Sequence, residues 1–330
     1  LSIARTVWFE RPGAASLRRE PLRDPEAGEV RVRALCSAVS AGAERLVLRG
    51  DVPPEAQPLL SAPSMRGGFD LPVAYPAALV GTVEAAGPGV SGARIGERVL
   101  LVHPHQDVVV TRDDALLPCP GAIPAARLTL APSLGVALGA VWDAGIALGD
   151  RVAITGLGVI GLLVARLARR AGASAVLGVD PDPDRAALGL ALGLTEAARS
   201  ASASARALAG ADVLVEASGA PAALGDLLAH AGPGARVVVV SWYGRERASI
   251  PLGGGLLPRG AILRAAGTPE GRARFPRDRR LALVFDLLDD DALDRLIAPS
   301  APLSDAPRIY DDLARGVAWI PPHRVLDPRR

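Results

Sequence analysis

The sequence predicts an α/β protein in which a doubly wound parallel sheet is combined with a second, strand-rich domain. Three observations carry that prediction. Residues 151–161 read RVAITGLGVIG, a buried-strand run ending in three spaced glycines. An apolar helical stretch follows at 162–170, and a second buried-strand run at 175–179 ends on Asp180. Near residue 128 the texture changes, from short alternating runs cut by glycine and proline to strands that alternate with helices.

The individual elements follow in chain order. Residues 3–9 alternate as a half-buried strand, and residues 30–35 alternate arginine with apolar side chains. Further short strands are expected at 80–86, 98–102 and 108–111, separated by turns at 87–89 and 91–92. Residues 53–72 form a long proline-bearing loop with little periodicity, expected as a wall or lid of a site. Residues 212–216 and 236–240 are buried-strand-like with a helical segment at 221–231 between them, which implies a parallel sheet covered on both faces. Segments 279–288 and 306–314 are expected to be helical and to pack back on the first domain, and the alanine-serine stretch 200–209 is expected as a surface helix or loop.

The glycine run has a specific chemistry. Gly156 allows a sharp turn off the strand, and Gly158 has no side chain to keep the backbone from a pyrophosphate. Gly161 lets the helix lie close to the sheet, so that the amides of Val159, Ile160 and Gly161 face the phosphates. Asp180 would accept hydrogen bonds from the adenosine ribose hydroxyls and repel a 2′-phosphate, which favours NAD over NADP. Arg185 complicates that preference, because it could flank the ribose or meet a phosphate. The competing explanation is a doubly wound domain that keeps the turn without the ligand. The predicted layout is a discontinuous catalytic domain, residues 1–120 and 265–330, with a nucleotide-binding domain, residues 121–264, inserted in it.

Composition narrows the function classes. The chain has 330 residues, 49% hydrophobic, enough for two domains of ordinary size. A formal net charge of only +2, with no basic block, argues against a nucleic-acid partner. There is no lysine, which excludes Schiff-base chemistry on one. Two cysteines, Cys36 and Cys119, are too few for a disulfide framework or a four-thiolate zinc site. No apolar run reaches the roughly 20 residues of a spanning helix, so no membrane partner is expected. The chain opens into a strand with no signal-peptide pattern, and a soluble, cytoplasmic protein is expected.

Beyond the glycine unit, the runs GEVRVRA at 28–34, VGTVE at 80–84, GERV at 96–99 and GDRV at 149–152 make the chain resemble the medium-chain dehydrogenases/reductases along essentially its whole length. The closer similarity, carried by SAGAE at 40–44, HPHQD at 103–107 and VSWYG at 240–244, is to a subgroup of zinc-binding alcohol dehydrogenases and bacteriochlorophyllide hydroxyethyl dehydrogenases. The resemblance implies a Rossmann domain with a GroES-like catalytic domain, NAD(P)-linked interconversion of an alcohol and a carbonyl, and a homodimer. It also implies that Ala217, Ser218 and Gly219, and then Ser241, Trp242 and Tyr243, border the cofactor.

The departures from the family are chemical. Ser40 falls where zinc members place a cysteine, Pro76, Ala77 and Ala78 replace a Gly-His-Glu triplet, and only residues 131–135 stand where a third ligand precedes the cofactor domain. Hydroxyl and methyl groups bind zinc poorly, so no zinc is expected. A hydrogen-bond donor or general acid must then act on the substrate oxygen. His105 is the first candidate, with Ser40 as a hydroxyl that could relay a proton to it, Glu44 holding Ser40 or an arginine, and Asp107 orienting a histidine. Tyr75 is a candidate donor and Trp142 a candidate pocket wall. The leading expectation is a zinc-independent, NAD-dependent oxidoreductase acting on a secondary alcohol or its ketone. The alternatives are an NADPH-dependent enoyl or quinone reductase and a catalytically inactive cofactor-binding protein.

Overall fold

The computed structural model describes residues 2–90, 95–200, 210–267 and 274–330, so all but Ser200 of the alanine-serine stretch at 200–209 lies outside the described residues. The chain divides into two compact units, the first Leu1–Ala131 with Phe285–Arg330 and the second Pro132–Val284. The boundaries fall at 131/132 and 284/285, later than the 120/121 and 264/265 expected from sequence. Side chains account for both shifts. Arg127 reaches Asp291 at 2.7 Å and Asp294 at 2.7 Å, all within the first unit. Residues past 264 stay with the second unit through Gly267, whose amide donates to Asp143 at 2.9 Å, and Phe275, which stacks on Trp142 with centroids 3.9 Å apart.

The first unit holds two sheets. Strands β1 (Ser2–Arg11), β2 (Ala14–Leu22), β4 (Arg66–Gly67) and β5 (Val73–Ala74) form a four-stranded sheet ordered β2-β1-β5-β4. A seven-stranded sheet is built from β3 (Glu29–Val39), β6 (Pro76–Ala86), β7 (Arg98–Pro104), β8 (Val108–Arg112), β9 (Leu117–Pro118), β16 (Ala301–Pro302) and β17 (Arg324–Asp327). Its alternation puts Val30, Val32, Ala34, Leu79, Val83, Val99, Leu101 and Val109 into one core. A second core gathers Val7, Phe9, Val47, Leu48, Tyr75, Ile309, Tyr310 and Leu313, so the helix Ala306–Arg315 packs into it. The expected loop at 53–72 is more ordered than its prolines suggested. It contains a 3-10 turn, Pro54–Ala56, a short helix, Gln57–Leu60, and β4.

The second unit is a six-stranded, all-parallel sheet ordered β12-β11-β10-β13-β14-β15. Its strands are β10 (Arg151–Thr155), β11 (Ala175–Val179), β12 (Glu196–Ala198), β13 (Ala211–Glu216), β14 (Ala231–Val239) and β15 (Ile262–Ala265). The order turns back around β10, so the crevice at the carboxyl ends of β10 and β13 is where such sheets take ligands. The helix Val159–Arg170 keeps an apolar face, with Leu162, Leu163, Val164 and Leu167 buried, and ends on Arg169 and Arg170, favourable at a helix C-terminus.

Candidate functional site

The carboxyl edge of the parallel sheet is built by glycine geometry. Gly156 sits at φ +85°, and a Cβ there would lie 2.4 Å from the Cα of Ser218. A Cβ on Gly161 would lie 1.9 Å from the carbonyl oxygen of Gly156, so turn and helix touch through bare backbone. Gly158 is the N-cap of the helix Val159–Arg170, and a Cβ added to it meets nothing within 4 Å. Two glycines are therefore required by the protein's own packing, whereas the third borders open space where a ligand could approach the main chain. The first amides of a helix lack intrahelical acceptors, so those of Val159, Ile160 and Gly161 suit an anionic group.

Asp180 is turned toward this loop. Its Oδ2 accepts the Leu157 amide at 2.8 Å and its Oδ1 accepts the Asp182 amide at 3.0 Å, with Arg185 Nη1 3.8 Å away. Each carboxylate oxygen keeps a second lone-pair position, so ribose hydroxyls would be additional partners to a group already fixed by the backbone.

Across the crevice, the ends of β13 and β14 are tied together by a residue not singled out from sequence. Glu216, fully buried, accepts the Ser218 amide at 2.7 Å on Oε1 and the Tyr243 hydroxyl at 2.5 Å on Oε2, and it also takes the Ser218 hydroxyl. The Gly219 amide donates to Ser241 Oγ at 2.8 Å. Burial, then the carboxylate of Glu216, push the Tyr243 phenol well above its usual range, so it stays a donor. Ser218, Gly219, Ser241 and Tyr243 thus form one hydrogen-bonded rim, with Ala217 half-buried beneath it and Trp242 exposed beside it. These residues fit a dinucleotide: a glycine turn open at Gly158, helix amides, a fixed acid on one side and a polar rim on the other.

In the first unit, the expected proton-transfer group lies elsewhere than the polar run suggested. His105 is only 1% exposed. The turn that carries it is sewn to two strands, with Val7 N donating to His105 O at 2.9 Å and Ala34 N donating to Asp107 O at 2.9 Å, so the imidazole is driven inward. Its Nε2 lies 3.3 Å from Glu44 Oε2, and its Nδ1 lies 2.6 Å from the hydroxyl of Ser37. The serine beside His105 is therefore Ser37, from the interior of β3, and the Ser40 relay is corrected. Ser40 is exposed, and its amide donates to Glu44 Oε1 at 2.7 Å. Tyr310 completes the cluster by donating its hydroxyl to Glu44 Oε2.

The set Ser37, His105 and Glu44 has the residue types of a hydrolytic triad. Ser37 is 2% exposed and Glu44 fully buried, so no acyl group can reach the hydroxyl. Asp107 does not orient a histidine either. It pairs with Arg5, Nε to Oδ2 at 2.8 Å. Tyr75 belongs to the core: its hydroxyl donates to Leu60 O at 2.8 Å, and burial raises its phenol well above the usual range. His103 is also buried, and desolvation lowers its imidazole to about 4.

Among the described residues no tetrahedral zinc donor set comes together. Burial pushes the Cys36 and Cys119 thiols up to about 12 and about 11. Ala77 and Ala78 are strand residues of β6, paired with His103 and Val102. No group of three or more histidine, cysteine, aspartate or glutamate side chains converges as metal ligands among the described residues. The donor chemistry does not fit a tetrahedral zinc site.

Comparison with known proteins was made against these sites. Residues 159–278 match the profile of the zinc-binding dehydrogenase family. A segment of 45 residues is 53% identical to D-guloside 3-dehydrogenase of Escherichia coli, covering 14% of this chain and 13% of that protein. A protein assigned as a zinc-binding dehydrogenase from Sinorhizobium meliloti, bound to NADP, superposes with a TM-score of 0.80 at 23% identity over 99% of this chain and 100% of its own. Galactitol-1-phosphate dehydrogenase from Escherichia coli superposes with a TM-score of 0.77 at 18% identity over 98% of this chain and 100% of its own.

Proposed function

We propose that this chain, which matches the zinc-binding dehydrogenase family over residues 159–278 and shares the fold of alcohol and polyol dehydrogenases, is an NAD-linked oxidoreductase that interconverts a secondary alcohol and a ketone without zinc. The observation that carries the cofactor half is the glycine turn, crowded by the protein at Gly156 and Gly161 and open at Gly158. Asp180 supports NAD over NADP, since a carboxylate beside the ribose repels a 2′-phosphate. When bound, the nicotinamide supplies the carbon that takes or gives the hydride.

The chain itself must handle the proton and the charge on the substrate oxygen. Ser40 supports that role: the family resemblance places it where zinc members carry a cysteine, the residue is exposed, and its amide is clamped by Glu44. A serine donor stabilises a developing alkoxide by hydrogen bonding and needs no thiolate or imidazole set. His105 keeps both ring nitrogens on internal partners, which supports a role behind Ser40. The substrate class proposed is a ring or polyol hydroxyl, in keeping with the short match to a glycoside dehydrogenase and the likeness in fold to a polyol phosphate dehydrogenase. We further propose a homodimer joined at the outer edge of β15, where Ile262 is 61% exposed at the end of the sheet.

Isothermal titration with NADH and NADPH, elemental analysis of chelator-washed protein, and turnover of methyl α-D-glucopyranoside and galactitol test the proposal together. Tighter NADH binding, no stoichiometric zinc and NAD-linked oxidation of either probe are expected. Tighter NADPH binding would turn the reading to an enoyl or quinone reductase, and zinc bound one to one would end the metal-free mechanism. Cofactor binding without turnover of any carbonyl or alcohol would leave a binding protein.

A further inference from the structure

The turn leading to the helix Ala43–Arg49 is closed by one backbone bond, Glu44 N to Ser40 O at 3.0 Å, and carries only small side chains ahead of Glu44. Residues 41–43 are Ala41, Gly42 and Ala43, and the helix N-cap, Gly42, offers no side chain to the helix amides. The one large group that fixes the turn is Glu44, which points inward and takes the Ser40 amide on Oε1. A fully buried carboxylate is costly unless its oxygens are satisfied, and those partners decide where it sits. On Oε2 the partners are His105 Nε2 and the hydroxyl of Tyr310.

A carboxylate can only accept, which sets the direction of the bonds to Glu44. Tyr310 donates to Glu44, His105 faces the same carboxylate through Nε2, and the Ser37 hydroxyl lies at hydrogen-bond distance from its Nδ1. Tyr310 itself is wedged edge-on against Phe9, with centroids 4.8 Å apart, and is fully buried on the helix Ala306–Arg315. Its ring cannot swing away, so its hydroxyl is a fixed post for the carboxylate.

We propose that Tyr310 is a positioning residue for the substrate-oxygen site: its hydroxyl anchors Glu44, which holds the backbone of Ser40 and so sets where the Ser40 hydroxyl emerges. The inference rests on the reading of Ser40 as the residue that meets the substrate oxygen. It assigns work to a side chain 266 residues from Glu44, on a segment to which the sequence pointed for packing alone.

The test is Tyr310→Phe in the full chain, which keeps the ring packing and removes the oxygen. Hydrogen exchange at the Ser40 amide is expected to rise about tenfold, the loss of one charge-assisted hydrogen bond's worth of protection, with amides of the second unit unchanged. With methyl α-D-glucopyranoside as probe, kcat should fall while KM for NAD stays within about twofold, because nucleotide binding belongs to the other unit. Unchanged exchange at the Ser40 amide would overturn the proposal, as would wild-type kcat in Tyr310→Phe beside an inactive Ser40→Ala. Full turnover by Ser40→Ala would instead sink the reading of Ser40, whatever Tyr310→Phe does to exchange. Glu44→Gln gives a second, independent perturbation of the same anchor.

Discussion

The carboxyl edge of the parallel sheet and the buried cluster around Glu44 are built by opposite means. The first uses missing side chains: Gly156 and Gly161 allow backbone to touch backbone, and Gly158 opens on solvent. The second uses filled space, where Ser37, Glu44, His105 and Tyr310 satisfy one another in the interior. A site made of main chain tolerates its surroundings and fails when atoms are added. A site made of buried polar side chains fails when atoms are removed, because each loss strands a partner.

The largest expected effect sharpens that contrast. Glu44→Ala removes the shared acceptor and strands the Tyr310 hydroxyl, the His105 ring and the Ser40 amide, so stability should fall by about 3–5 kcal/mol in urea denaturation. A loss under about 1 kcal/mol would mean that water or rearrangement replaces the carboxylate easily, and the cluster would no longer be a closed interior network.

Acid should also divide the two units. Burial lowers both His103 and His323, in the first unit, to about 4 from an ordinary 6.5. Between those values the unfolded chain binds a proton and the folded chain does not, so stability is lost as pH falls from about 6.5 toward 4, at most about 3 kcal/mol for each imidazole. His323→Gln, which keeps a partner for Thr129 (now 2.8 Å from His323 Nε2), should flatten part of the acid limb. An acid limb that does not change in either His103 or His323 variants would remove the argument.

At the other site, Gly158→Val is expected to weaken NADH binding about a hundredfold, or about 2.7 kcal/mol, with the melting temperature unchanged, since nothing of the protein lies where the new side chain starts. Gly161→Ala should do the reverse and lower the melting temperature first, because its Cβ collides with the Gly156 carbonyl. If the two substitutions behaved alike, the distinction between a packed and an open glycine would be wrong. The smallest effect is expected from Tyr243→Phe: about 1 kcal/mol of stability and a few-fold loss of NADH affinity, from one hydrogen bond to Glu216.

The same contrast explains how far the sequence could be read. The glycine turn, the strands on either side and Asp180 are contiguous, so spacing alone laid out the parallel sheet and its nucleotide edge. Glu216 was missed although it directly precedes Ala217, because a lone glutamate at a strand end carries no periodic signal. Ser37 lies just past the strand expected at 30–35 and carried no signal of its own, and Tyr310 sits on a segment expected as a packing helix. Their roles depend on pairings 68 and 266 residues apart, which no local pattern encodes. His105 was drawn to the site by a polar run whose exposure was overestimated, since the hydrogen bonds that bury it come from β1 and β3.

The order of the chain adds a consequence for biosynthesis. Glu44 leaves the ribosome 266 residues before the phenol that anchors it, an interval of roughly 10–50 s at ordinary rates of translation. Throughout that interval the carboxylate has the Ser40 amide and His105 within reach but lacks the Tyr310 donor, so the anchor stays incomplete while the whole inserted unit is made. The anchor of Glu44 is thus completed late, only once the helix Ala306–Arg315 has been made and has packed.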